Sequence, residues 1–156
     1  MKLERILCPT DFSEASEAAL TYAINLAKQV GAEIRLLHTY SLPTYYAFPE
    51  VALIPSEEYA LRCSTVGQDR LDELKARHTD AGVTIHSALL VGPAATEIAR
   101  DAGSHKADVI VMASRGHGQL ANLVLGSVTE RVLRIAPCPV IVVPASAVSA
   151  PSGEDV

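Results

Sequence analysis

The stretch Asp108-Val109-Ile110-Val111-Met112, running into Ala113-Ser114-Arg115-Gly116-His117-Gly118, decides how this chain is read. After its first residue the segment is uniformly apolar and mostly β-branched. Such a short run fits a strand buried on both faces, as in the middle of a parallel sheet. The glycines behind it end the strand and open a loop.

Working outward, the same unit recurs. Arg5-Ile6-Leu7-Cys8 is a short apolar strand that stops at Pro9-Thr10-Asp11. Ala15, Ala18, Ala19, Tyr22, Ala23, Leu26, Ala27 and Val30 then follow the i, i+3, i+4, i+7 spacing of one helical face. Asp11 and Glu14 suit a capping box at the start of that helix, and Gly31 suits its end. Glu33 to His38 is a second strand, and a polar helix is predicted from about Glu57 to Thr79. Val83 to Leu89 is a third strand, followed by a short helix opening near Pro93 with Gly103 near its end. A last helix stops before Pro137, and Pro139 to Val143 is the fifth strand. Strands separated by helices predict an α/β, Rossmann-like, doubly wound fold: a five-stranded parallel sheet in the order 3-2-1-4-5 with helices on both faces. Ligands of such folds sit beyond the carboxyl ends of the strands where the order reverses, here at the loops after the first and fourth strands.

Two segments leave the pattern. Between 41 and 56, Pro43, Pro49 and Pro55 exclude a regular helix or central strand, and Tyr45, Tyr46 and Phe48 make the segment aromatic. It fits a surface loop with its rings tucked against the domain, or a lid or partner surface. From Ala145 to Val156 there is no periodicity, which predicts a disordered tail behind one domain spanning 1–144.

The chain is 156 residues long, enough for about one domain, and has a formal net charge of −5. The acidic balance argues against nucleic acid held by bulk charge. No apolar run reaches the ~20 residues of a membrane-spanning helix. The first residues do not resemble a signal peptide, and Cys8, Cys63 and Cys138 are isolated and odd in number. Both features predict reduced thiols in a cytoplasmic protein.

In this acidic chain the loop after the fourth strand concentrates phosphate chemistry. Gly116, Gly118 and Gly126 let a backbone approach an oxyanion closely, while Arg115 and His117 add donors. Gly126-Ser127 falls at the predicted start of the last helix, where free N–H groups and the helix dipole favour an anion. The same glycines are equally compatible with ordinary turns and a helix cap. Walker A is absent. Gly116-His117-Gly118-Gln119-Leu120-Ala121 matches G-x-G-x-x-A, but the next strand ends in Val143-Pro144 without the acidic residue a dinucleotide needs.

Gly116, nine further residues and Gly126-Ser127 resemble the ATP-binding signature G-x2-G-x9-G-[ST] of the universal stress protein family. Val128-Thr129-Glu130-Arg131-Val132-Leu133, Ala136-Pro137-Cys138-Pro139-Val140 and the opening Ile6-Leu7-Cys8-Pro9-Thr10-Asp11-Phe12-Ser13 are similar to the same family. The resemblance implies a stress-linked domain holding adenine nucleotide, ATP with Mg²⁺ or Mn²⁺. Carried onto this chain, it implies Pro9, Thr10 and Asp11 beside the adenosine, Thr39 at the adenine, and Met112 and Ala113 near the ribose. Arg115, Gly116, His117, Gly126, Ser127 and Val128 fall in the phosphate stretch. It also implies a homodimer through Val140 to Val143, with a protein partner left unnamed. Ala113 stands where the family has its first motif glycine, a cost of about 1 kcal/mol if the position needs positive φ.

Spacing identifies no nucleophile, base and orienting group, and no metal ligands among the side chains. His38, His78, His86 and His105 are scattered, and only His117 has a motif around it. A nucleotide-dependent switch is therefore the expected function. A nucleotide-free scaffold and a slow ATPase or phosphotransferase are the alternatives.

Overall fold

The computed structural model describes residues 2–42, 45–48, 51–53, 57–115 and 125–144, with backbone alone for 45–48 and 51–53. Strand β1 (Arg5–Pro9) leads into α1 (Glu14–Val30) and β2 (Glu33–Tyr40). Strands β3 (Tyr45–Phe48) and β4 (Val51–Leu53) follow, then α2 (Glu57–Ala76), a 3₁₀ turn (Thr79–Ala81) and β5 (Ile85–Val91). The chain continues through α3 (Ala94–Ser104), β6 (Val109–Ala113), α4 (Ser127–Ile135) and β7 (Val140–Val143).

Strands β5-β2-β1-β6-β7 form one five-stranded sheet, paired in parallel throughout. Counted along the sheet strands alone, this is the expected order 3-2-1-4-5. Side chains alternate between the two faces. Ile6, Cys8, Ile34, Leu36, Val109 and Val111 pack beneath α1 and α2. Leu7, Leu37, Ile110 and Met112 pack beneath α3 and α4. Ala19, Ala23 and Ala27 are at most 1% exposed on α1, so small side chains let this helix lie close to the sheet.

Local chemistry explains the departures from expectation. Helix α1 is capped by Ser13, whose Oγ accepts from the Ser16 N–H. Asp11 instead accepts from the Ser13 N–H and hydroxyl, so the Asp11–Glu14 capping box is corrected to a Ser13 cap braced by Asp11. The third sheet strand lies two residues later than expected because Ile85 to Val91 register against Ile34 to Tyr40 along the length of β2. The proline-rich segment holds an antiparallel hairpin, β3 with β4. Its prolines bracket the two strands rather than interrupt them, so no ladder loses a donor to them. The Tyr45, Tyr46 and Phe48 side chains, like the tail 145–156, lie outside the described residues.

Candidate functional site

Strand β1 pairs with β2 on one side and β6 on the other, so the order reverses between β1 and β6. After β1 the chain passes to α1 on one face; after β6 it reaches α4 on the other. In an open parallel sheet such a switch point is where a ligand crevice forms, at the carboxyl ends of these two strands.

Backbone hydrogen bonds build its β6 wall. The Ser114 N–H donates to Val143 O at 2.8 Å, and the Gly126 N–H donates to Ser114 O at 2.7 Å. The Thr129 hydroxyl donates to Ala113 O at 3.0 Å. Together these bonds pin the first turn of α4 against the end of β6. Gly126 is the N-cap and has no side chain to cap the turn. A Cβ added there would lie 3.3 Å from Arg115 Cα, a close approach to backbone. The result is a helix N-terminus beside a switch point whose N-cap makes no side-chain hydrogen bond, a setting that suits an anion.

The β1 wall is the loop 10–13. Thr10 is buried, donates from its N–H to Leu37 O at 2.8 Å, and accepts the Phe12 N–H on its hydroxyl at 3.0 Å. Phe12 has φ +63, a left-handed conformation unusual for an aromatic residue. Its ring packs on His38 with centroids 4.4 Å apart, and the Arg70 guanidinium sits 4.5 Å over it. His38 donates from Nδ1 to Thr10 O at 2.8 Å, which sets its neutral tautomer. Burial holds the His38 pKa below the ordinary histidine value, against the raising effect of that bond. Behind this stack lies a cavity of about 470 Å³, lined by Phe12, His38, Tyr40, Tyr59, Cys63 and Arg70 among others.

The structure brings Pro9, Thr10 and Asp11 to one side of the crevice and Arg115, Gly126, Ser127 and Val128 to the other. Thr39 lies two residues beyond Leu37, on the same face of β2. Met112 is 5% exposed in the core beneath α3 and α4, so only its backbone is near the crevice. Ala113 is a residue of β6, paired with Val143, with its methyl in the core under α1. It is not among the positive-φ residues, so the penalty considered for alanine does not arise. Gly116 and His117 lie outside the described residues. Among the described residues no group of three or more His, Cys, Asp or Glu side chains could hold a metal. Cys8 is fully buried and its thiol is pushed up to about 12, far from the thiolate a nucleophile needs. Sequence reasoning missed the Phe12–His38–Arg70 stack. The one available signal was an aromatic residue next to the first loop, and nothing in its neighbours announced a positive φ.

The model of the universal stress protein family matches residues 2–144. The chain belongs to the universal stress protein family. Universal stress protein MJ0531 of Methanocaldococcus jannaschii is 36% identical over 146 residues, covering 90% of this chain and 81% of that protein. The solved structure of hypothetical protein MJ0577 superposes with a TM-score of 0.77 at 27% identity, covering 92% and 97% of the two chains. A universal stress protein crystallised in complex with cAMP shares the fold at a TM-score of 0.69 and 24% identity, covering 94% and 100%. No described helix is long and apolar enough to cross a membrane.

Proposed function

We propose that this universal stress protein binds an adenine nucleotide in the crevice between β1 and β6 and acts as a nucleotide-dependent switch. The observation that carries the proposal is the first turn of α4, pinned by Gly126 and Thr129 against the end of β6 with no side-chain cap. Its N–H groups and dipole would face the phosphates without requiring a basic surface. Ser127 adds a hydroxyl and Arg115 a cation, with Gly116, His117 and Val128 in the same stretch of chain. Pro9, Thr10, Asp11 and Thr39 would flank the adenosine, with the backbone of Met112 and Ala113 near the ribose. The cAMP complex of a neighbour with the same fold supports an adenine ligand. Bound Mg²⁺ or Mn²⁺ would offset phosphate charge in a chain of net charge −5.

Strand β7 lies at the edge of the sheet, pairs with β6 and carries Val140, Ile141, Val142 and Val143. The proposal includes a homodimer through this edge, because pairing with a second copy would cover an apolar strand at the edge of the described sheet.

Titration calorimetry with ATP and Mg²⁺ tests the function. The expected result is one saturable site per chain with a Kd below a millimolar and a raised melting temperature. Purified protein that carries adenine nucleotide would also absorb strongly near 260 nm, since the chain has five Tyr and no Trp. No heat and no protection against melting at millimolar ATP would overturn the proposal.

A further inference from the structure

In the loop after β1, Phe12 stands in a backbone conformation that its residue type rarely takes, with φ +63. A side chain with a Cβ is strained there, and a bulky ring persists in it only where the surroundings hold it. Two local bonds shape the turn: the Phe12 N–H donates to the Thr10 hydroxyl at 3.0 Å, and the Ser13 N–H donates to Asp11 Oδ1 at 3.0 Å. Neither of them touches the Phe12 ring.

Two other elements hold that ring. Strand β2 supplies His38, two residues beyond the buried Leu36 and so on the same face of the strand. The His38 ring lies 4.4 Å from the Phe12 ring, centroid to centroid, and its Nδ1 donates to Thr10 O at 2.8 Å. Helix α2 supplies Arg70, whose guanidinium sits 4.5 Å over the Phe12 ring. Gly67 lets the helix come so near. It is buried, and a Cβ placed on it would lie 3.0 Å from Leu89 Cδ1 and 3.5 Å from His38 Cδ2. Without that side chain α2 closes on His38, and Arg70 follows three residues later on the same side of the helix. Among the described residues Arg70 closes no ion pair, which leaves its guanidinium to the aromatic face.

Were Phe12 to relax to the right-handed region, the peptides on either side of it would rotate, and the Asp11 carboxylate would turn with them. Thr10 and Asp11 flank the adenosine in the function proposed above, so the grip on Phe12 decides whether they are aimed at the ligand before it arrives. From the strained Phe12 backbone and the guanidinium seated over its ring, we infer that Arg70 is a positioning residue of the nucleotide site: from α2, without touching the nucleotide, it holds the loop 10–13 in the binding conformation. The inference rests on that reading of the crevice. It ties α2, which carries none of the residues assigned to the crevice, to nucleotide affinity. Arg70 is exposed, so its hold is modest and the effect to be read is a few-fold change in the population of competent loop.

The test is a double-mutant cycle on the full chain, read by titration calorimetry with ATP and Mg²⁺. Arg70→Gln should weaken binding about threefold, and Arg70→Lys, which keeps a cation for the ring, should recover most of that loss. In Phe12→Asn, which tolerates the left-handed backbone but offers no ring, adding Arg70→Gln should change affinity by less than about 1.5-fold. Amide exchange on the nucleotide-free chain gives a readout independent of ATP. Arg70→Gln should speed exchange about threefold at Phe12 and Ser13 while the amides in the middle of α2 keep their rates. A wild type that binds no ATP overturns the nucleotide reading and this inference with it. A wild type that binds, with equal affinity in Arg70→Gln or with an equal Arg70 effect in the Phe12→Asn background, overturns this inference alone. Unchanged exchange at Phe12 and Ser13 overturns it as well, and that arm stands should Phe12→Asn fail to fold.

Discussion

At the carboxyl end of the sheet, Gly126 meets Ser114 O, Ser114 meets Val143 O and Thr10 meets Leu37 O, all through backbone N–H groups. At the amino end, Arg35 closes on Asp101, His86 lies against Glu33, and the Asp108 carboxylate gathers the amides of Glu4 and Arg5. One end is assembled from peptide dipoles and small residues, the other from charged side chains. The contrast separates two ways in which an acidic protein can place donors at the ends of its sheet. Peptide dipoles need no net positive charge, whereas side-chain cations must be concentrated locally and their competing acids satisfied.

The largest expected effect breaks the peptide end. Gly126→Val places branched carbon against Arg115 Cα, which cannot swing away, so nucleotide affinity should fall by at least about 100-fold. Calorimetry would show this in a chain that still folds, because φ −74 at Gly126 is accessible to valine, with a melting temperature lowered modestly by the contact with Arg115 Cα. The next effect breaks the charged end. Asp101→Asn leaves Arg35, about a quarter exposed, with half its partner, and should cost about 1–3 kcal/mol in urea unfolding. Nucleotide affinity should remain within about twofold if the two ends act independently.

A smaller effect concerns the stack behind the β1 loop. The His38 pKa lies below its ordinary value of 6.5 in the folded chain, so the unfolded chain binds the proton more readily. This contribution to stability is therefore fully present above that ordinary value and is lost as pH falls below it through the lowered folded-state value. His38→Asn, whose amide nitrogen falls where Nδ1 was and keeps a donor for Thr10 O, should flatten this slope in pH-dependent melting. The Asp108 carboxyl is held below the usual carboxylate range by the Glu4 and Arg5 amides, so its contribution fades only under more acidic conditions. The smallest effect is expected for Ala113→Gly. It restores the glycine of the family signature, yet affinity should change by less than about twofold, since β6 holds this residue extended. Stability should drop by about 0.5–1 kcal/mol from the added chain entropy. A large gain in affinity would show that the Ala113 methyl matters to the crevice after all.

Much of the frame was legible in the chain because it rests on local patterns. Ile6 to Cys8 and Val109 to Met112 are apolar runs that only a sheet covered on both faces can bury, and the Ala19, Ala23 and Ala27 spacing marks the face of α1. The hairpin within 45–53 escaped because prolines signal where strands stop, and its short strands carry too few residues for a period to show. The capping residue was misassigned within a run of adjacent polar candidates, Asp11, Ser13 and Glu14, that only the backbone angles distinguish.

By itself the sequence determined the order of the five sheet strands and the helices between them, and the switch point between the first and fourth, since these follow from periodicity along the chain, and it carried the resemblance around Gly126 and Ser127. Only the tertiary structure decided that Ala113 sits in extended backbone and that Phe12 adopts a left-handed turn between His38 and Arg70. These depend on contacts between residues dozens of positions apart. Such contacts are set by strand register and by which face each helix covers, neither of which a local pattern encodes.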